Sequence, residues 1–217
     1  MLHVDHICLG ASNIYESSSR LKDETGFGFY DGGWFPHAEL ATTVFPLGNH
    51  NYLEVEGPIN HHRYRTDPIA NWFERRVALG ETFVGWCLRV DEEEELDDLA
   101  ARWGVPVEDS VGRILPHQDR VSTKNRCAPY TIDCWDRGLP NAFYFRDQSA
   151  HSSLTPVDHN VAPSGIQWLE VGGTPRDMQR WLGDAATDLP LEYLPDRGPG
   201  LYGIAVGTAD GVVVIRR

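Results

Sequence analysis

The chain has 217 residues, 41% of them hydrophobic and 24% charged, the balance of a soluble globular protein able to bury a core. Its formal net charge of −13 argues against nucleic acid or an anionic membrane as partner, since both need clustered Lys and Arg. No apolar stretch approaches the roughly 20 residues of a spanning helix. The opening Met1-Leu2-His3-Val4-Asp5 lacks the basic and apolar regions of a secretory signal, so a cytoplasmic protein is expected.

Leu2–Leu9 reads as a strand, and Ser12 offers the N-cap of a helix carrying Ile14, Ser18 and Leu21 until Gly26 stops it. Phe27–Trp34, Leu40–Leu47 and Asn51–Glu56 follow as strand candidates, the last two separated by the turn Gly48-Asn49-His50. A polar join follows, with a helical face at Ile69, Trp72, Phe73 and Val77. Thr82–Val90 is a strand, and Asp91 caps a helix through Trp103 with one apolar stripe of Leu96, Leu99, Ala100 and Trp103. Strands are then expected near Arg113–Leu115, Tyr130–Trp135 and Ala142–Arg146. A third pass opens at Ile166–Val171, continues into a short helix from Thr174-Pro175, and closes with strands at Leu191–Leu194, Tyr202–Val206 and Val212–Ile215.

The order β-α-β-β-β thus recurs. The expected organisation is α+β: a first βαβββ module over residues 1–57, a linker over 58–81, a second module over 82–147, a loop over 148–164 and a third module-like unit over 165–217. Setting Ser12 against Asp91 puts Cys8 on Cys87 and His6 on Gly85, and setting Asn51 against Asn141 puts Glu54 on Tyr144. Cys8, Cys87, Cys127 and Cys134 show no Cys-x-x-Cys spacing and read as reduced thiols, Cys8 and Cys87 buried in apolar strands.

His6 and Glu54 are the sharpest chemical signal. Each is an ionisable group inside a strand-like run, where burial without a partner is costly. One lies on a module's first strand and the other on its last, so both can aim at one divalent ion. His151, after the aromatic strand Phe143-Tyr144-Phe145, is the first choice for a third ligand; His159, His37 and His117 follow. Two His and a carboxylate also make the facial triad of non-haem iron oxygenases. His61-His62 reads as a solvated linker. Arg113 and Lys124 are candidate anion handles, and Glu170 is a candidate base.

Asp5-His6-Ile7-Cys8-Leu9, Gly32-Gly33-x-x-x-His37, Ala41-Thr42, Leu47-Gly48 and Tyr52-Leu53-Glu54-Val55 together resemble the vicinal oxygen chelate superfamily, in particular its glyoxalase-like group. The resemblance implies paired βαβββ modules curling into an open, incomplete barrel around a cleft. It implies a divalent metal (Zn, Ni, Co, Mn or Fe) held at His6 and Glu54, with His151 as third ligand. The resemblance and the module matching make Glu54 and Tyr144 the catalytic candidates, in a substrate pocket lined by His37, Trp34, Tyr52, Trp86 and Phe143. The second module offers only Gly85 and Tyr144 where a symmetric four-ligand site needs donors. The expected activity is metal-dependent isomerase or lyase chemistry on a small molecule with vicinal oxygens. The alternatives are an extradiol-type iron dioxygenase and a non-catalytic sequestering protein. A homodimer is the expected assembly.

Overall fold

Two antiparallel strands, β1 (Leu2–Gly10) and β5 (Thr82–Val90), form the axis of the computed structural model, which describes residues 1–36, 38–59, 68–110, 112–115, 125–129 and 132–217. Each axial strand feeds a helix, α1 (Ile14–Thr25) after β1 and α3 (Glu93–Trp103) after β5. Each also has a parallel partner: β4 (Asn51–Pro58) lies on β1, and β8 (Asn141–Tyr144) on β5. The outer strands are β2 (Tyr30–Phe35) and β3 (Leu40–Gly48) on one side, and β6 (Glu108–Asp109) and β7 (Arg126–Ala128) on the other. The eight run β2-β3-β4-β1-β5-β8-β7-β6, two like halves meeting at β1–β5. The fold is mixed α+β, and the sheet is not closed into a barrel. Among the described residues, one antiparallel bridge between Trp34 and Ile114 links the outer strand of one half to the β6–β7 connection of the other.

Local chemistry explains the ends of the helices. The Asn13 side chain, one residue beyond the expected Ser12, accepts the Glu16 N–H at 3.2 Å. Gly26 and Gly104 close α1 and α3 in left-handed conformation at φ 76° and 68°, which costs glycine little. Glu95 accepts the backbone N–H groups of Asp91 and Glu92 at 3.1 and 3.3 Å, fixing the start of α3.

Residues 163–217 form a second sheet from β9 (Pro163–Gly172), β10 (Leu191–Leu194), β11 (Gly200–Thr208) and β12 (Gly211–Arg216), with α5 (Pro175–Leu182) between β9 and β10. Its element order repeats that of the two halves, but its strand order, β10-β9-β11-β12, does not. Here the strand after the helix pairs directly with the first strand, and β11 takes the other side of β9.

The eight-stranded sheet buries both faces. Ile7, Leu9, Leu53, Phe45, Trp86 and Leu88 face the main core with α1, α3 and the second sheet. Cys8, Leu40, Val84 and Cys87 face the other way, under α2 (Pro68–Val77) and the short α4 (Ile132–Trp135). Two expected strands differ. Of the run expected at Tyr130–Trp135, the described residues Ile132–Trp135 form α4 instead, and the strand before it is Arg126–Ala128. Trp135, the last residue of α4, lies over the bare backbone of Gly85. In the Arg113–Leu115 stretch only Ile114 makes a bridge, so the regular pairing moves to Glu108–Asp109. No helix among the described residues is long and apolar enough to cross a membrane.

Candidate functional site

The site lies on the α2–α4 face of β1, β4, β5 and β8. On β1, Val4 pairs with Leu88 but His6 pairs with Cys87, so Asp5 is an extra residue in a β-bulge. Regular alternation would send Asp5 and His6 to opposite faces. The bulge instead lets the Asp5 carboxylate meet His6, its Oδ2 accepting the His6 Nδ1 hydrogen at 2.6 Å. Asp5 Oδ1 accepts from His151 Nε2 at 2.9 Å. Burial pushes the Asp5 carboxyl up, but these hydrogen bonds from His151 and His6 outweigh it and hold the group at about 2. Arg89 adds a positive charge, its Nε 3.4 Å from Asp5 Oδ1.

The imidazoles are held from their other sides too. Tyr52 stacks on His6 with ring centroids 4.5 Å apart and planes 14° apart, and Phe143 leans on the same ring at 5.7 Å. His151 Nδ1 lies 2.7 Å from Ser153 Oγ and accepts the Ser153 N–H at 3.3 Å. Phe145 meets the His151 ring edge-on at 4.8 Å.

Above this network the register builds a buried donor cluster. Cys8 lies opposite Glu54 on β4 and Gly85 on β5, while His6 lies opposite Tyr52 and Cys87. A ring nitrogen of His6 and the sulfurs of Cys8 and Cys87 are all within 4.8 Å of one another. Cys8, Glu54 and Glu56 form a second such group sharing the same sulfur. Arg113 donates to the Glu54 carboxylate and, at 2.6 Å, to Ser152 Oγ.

Protons and charges in the cluster are interdependent. Burial, reinforced by the adjacent Glu54 carboxylate, pushes Glu56 well above the usual carboxylate range. Burial likewise raises the Cys8 thiol. For Cys87 burial is outweighed by the hydrogen bond from Cys8 and by His6, so its thiol is lowered. Burial opposes protonation of His6, yet Cys87 and Asp5 raise it well above its ordinary value. His6 with Cys8 and Cys87, and Cys8 with Glu54 and Glu56, make two donor groups that share one sulfur, and each suits a divalent ion of borderline softness, so the residues present fit a metal.

The structure sorts the expected site residues. His6 and Glu54 share one face of neighbouring strands, with Cys8 between their groups. Tyr52 and Phe143 lie against His6. His151 reaches the site through Asp5, with both ring nitrogens engaged, and is not in either donor group. Three placements are corrected. Tyr144 pairs with Val90 and turns to the main core; the residue that stands to Cys87 as Glu54 stands to Cys8 is Asn141. Trp86 is buried in the main core on the face opposite to Cys87. Trp34 pairs with Ala41, on the face away from Thr42 and Glu56, and is 38% exposed. Glu170 is bound by Arg216 at 2.8 and 2.5 Å in the second sheet, and His159 Nδ1 accepts the Gly28 N–H at 3.0 Å. His37, His61, His62, His117, Lys124 and Tyr130 lie outside the described residues.

The absence of a donor at Gly85 has a cause. A Cβ there would come 2.1 Å from Trp135 Cδ2, because the indole rests on the glycine backbone. Cys8 opposite Gly85 and His6 opposite Cys87 are interchanged as a two-fold between the halves requires, so Trp135 occupies the place symmetric to the His6 side chain. Sequence reasoning missed Asp5, Cys8, Glu56 and Cys87. Cys8 shares the parity of His6, and Glu56 that of Glu54, which was the available signal.

The sequence profile of the Glyoxalase-like domain family matches residues 4–187. No protein of curated function matches the chain. Among solved structures, a hypothetical protein from Staphylococcus aureus is 13% identical, with a TM-score of 0.59 over 100% of this chain and 86% of its own. Methylmalonyl-CoA epimerase from Mycobacterium tuberculosis is 11% identical, with a TM-score of 0.48 over 68% of this chain and 91% of its own. The Streptomyces coelicolor epimerase in complex with 2-nitronate-propionyl-CoA is 12% identical, with a TM-score of 0.49 over 67% of this chain and 98% of its own.

Proposed function

This chain belongs to the family of glyoxalase-like domains, and on that premise we propose that it is a metal-dependent isomerase or lyase acting on a small molecule with vicinal oxygens. The observation that carries the reading is the burial of His6 and Glu54 on one face of adjacent strands with Cys8 between their groups. Such a concentration of ionisable side chains is costly to bury unless each is paired or a cation is shared. His6 would hold the divalent ion, with Glu54 beside it across Cys8, and the ion when bound would supply Lewis-acid stabilisation of negative charge on adjacent oxygens.

The rest is done by the chain itself. Asp5 fixes His6 through Nδ1, so the opposite ring nitrogen is left to face the site. Arg113 anchors the Glu54 carboxylate and limits its rotation. Glu56, hydrogen-bonded to Glu54, is the neighbouring carboxyl placed to hold or move a proton. Tyr52 and Phe143 wall the His6 side, and Trp135 keeps water from the Gly85 side. A facial-triad oxygenase would need a second imidazole, and among the described residues His6 is the one histidine in either donor group.

The test is elemental analysis of protein purified without chelator or added metal, joined to proton exchange of α-hydroxycarbonyl compounds in D2O. The expected result is about one divalent ion per chain, lost in His6→Ala, with metal-dependent loss of the substrate C–H signal. Unchanged metal content in His6→Ala, or exchange indifferent to chelation, would overturn the reading.

A further inference from the structure

Of the four buried cysteines, Cys8 and Cys87 are set apart by position. Both sit on the axial strands, and both bring sulfur to within 4.8 Å of a His6 ring nitrogen. Cys127 and Cys134 are equally buried but belong to neither donor group. We infer that Cys8 and Cys87 are thiolate ligands of the metal, making this a mixed thiolate–imidazole centre that selects a zinc-like ion over hard, oxygen-seeking ions. The inference rests on the proposed metal-dependent function and specifies its ligands.

Three observations converge on it. First, a tetrahedral centre sets donors about 2.0–2.3 Å from the ion and roughly 3.3–3.8 Å from one another, which the 4.8 Å limit on the His6, Cys8 and Cys87 donors allows. Second, the local charges leave room for two thiolates. Glu54 is paired with Arg113, and Asp5 faces Arg89 and two imidazoles, so neither is a free counter-charge to a dication. Two thiolates balance it. Third, the sulfur positions come from register: His6 opposite Cys87 and Cys8 opposite Gly85 place one sulfur on each side of the β1–β5 seam, beside the imidazole.

The chemistry of such a centre differs from that of an all-oxygen and imidazole site. Thiolates favour borderline and soft ions, so zinc, cobalt(II) and cadmium should bind far more tightly than magnesium or manganese. Binding releases the thiol protons, so affinity should rise with pH.

The experiment is titration of the metal-free full chain with cobalt(II) alone, read by absorption. The unmodified protein should show an intense thiolate-to-cobalt charge-transfer band together with the visible bands of a tetrahedral ion, saturating at one equivalent. Cys8→Ser and Cys87→Ser should each weaken that band by about half and lower zinc affinity tenfold or more, while Cys127→Ser and Cys134→Ser leave both unchanged. Zinc-over-manganese preference should fall in the first pair only. Cobalt bound without a charge-transfer band, or a band of undiminished intensity in either Cys8→Ser or Cys87→Ser, would overturn the thiolate assignment and leave the proposed function standing. Failure to bind cobalt or zinc at all would remove both. The band in the unmodified protein decides the matter even where a serine variant does not fold.

Discussion

Asp5 and His151, 146 positions apart in sequence, share a hydrogen bond of 2.9 Å in the interior of the protein. The loop after β8 is thereby fastened to the bulge in β1, and one carboxylate organises two imidazoles. Asp5→Asn keeps the shape but replaces the anion with an amide that must donate on one side. His6 then loses its fixed tautomer, and metal affinity should fall about 10–100-fold. His151→Ala should instead leave metal affinity closer to the original and lower stability by roughly 1–3 kcal/mol, because Asp5 stays buried with one partner fewer. Metal titration and urea unfolding of the two variants separate these effects.

The same carboxylate sets an acid limit. Its folded value of about 2 lies below the ordinary 3.8, so its stabilising contribution is complete above pH 4 and is lost as pH falls toward 2. The loss should be on the order of 2 kcal/mol, and Asp5→Asn should abolish it. Glu56 works in the opposite sense. Its folded value is raised above 4.5, so the metal-free protein should be stabilised by it at low pH and lose that contribution as pH rises through the folded value. Urea midpoints measured from pH 2 to 9, with Glu56→Gln as comparison, check both slopes.

Arg113 and Glu54 are both buried, so each is the other's main electrostatic partner. Removing the arginine in Arg113→Met strands a carboxylate and should cost about 3–5 kcal/mol in metal-free protein. Arg113→Met combined with Glu54→Gln should recover much of that. A double-mutant cycle on unfolding free energy gives the coupling, and additive losses would show that the pair does not act as a unit.

Gly85→Ala introduces a methyl group 2.1 Å from the Trp135 ring. The indole must shift, at a cost of roughly 1–3 kcal/mol. Shortening the ring in Trp135→Leu should relieve the clash, so Gly85→Ala should be milder in that background. Thermal unfolding of the single and double variants provides the comparison.

Much of the fold was legible because it rests on local patterns. The apolar runs at Leu2–Gly10 and Thr82–Val90, the stripes of α1 and α3, and the glycines after them specify two β-α-β-β-β passes. The placement of His6 and Glu54 in neighbouring strands was legible for the same reason, as polar residues embedded in strand patterns. What failed depends on register. Matching Glu54 to Tyr144 instead of Asn141 is a three-residue displacement, an odd number, and it moved the chosen tyrosine to the wrong face. Glu56 shares the parity of Glu54 on β4, and both are buried. The participation of Asp5 follows from a bulge that leaves no mark in composition. The pairing of Cys8 with Cys87 exists only once β1 and β5 are aligned.

Duplication of a β-α-β-β-β half ordinarily furnishes twin seats for a guest. Here an indole plugs one of them at Gly85, while the other keeps its carboxyls on β4. A flat guest settled over Cys8 therefore sees chemically unlike left and right walls.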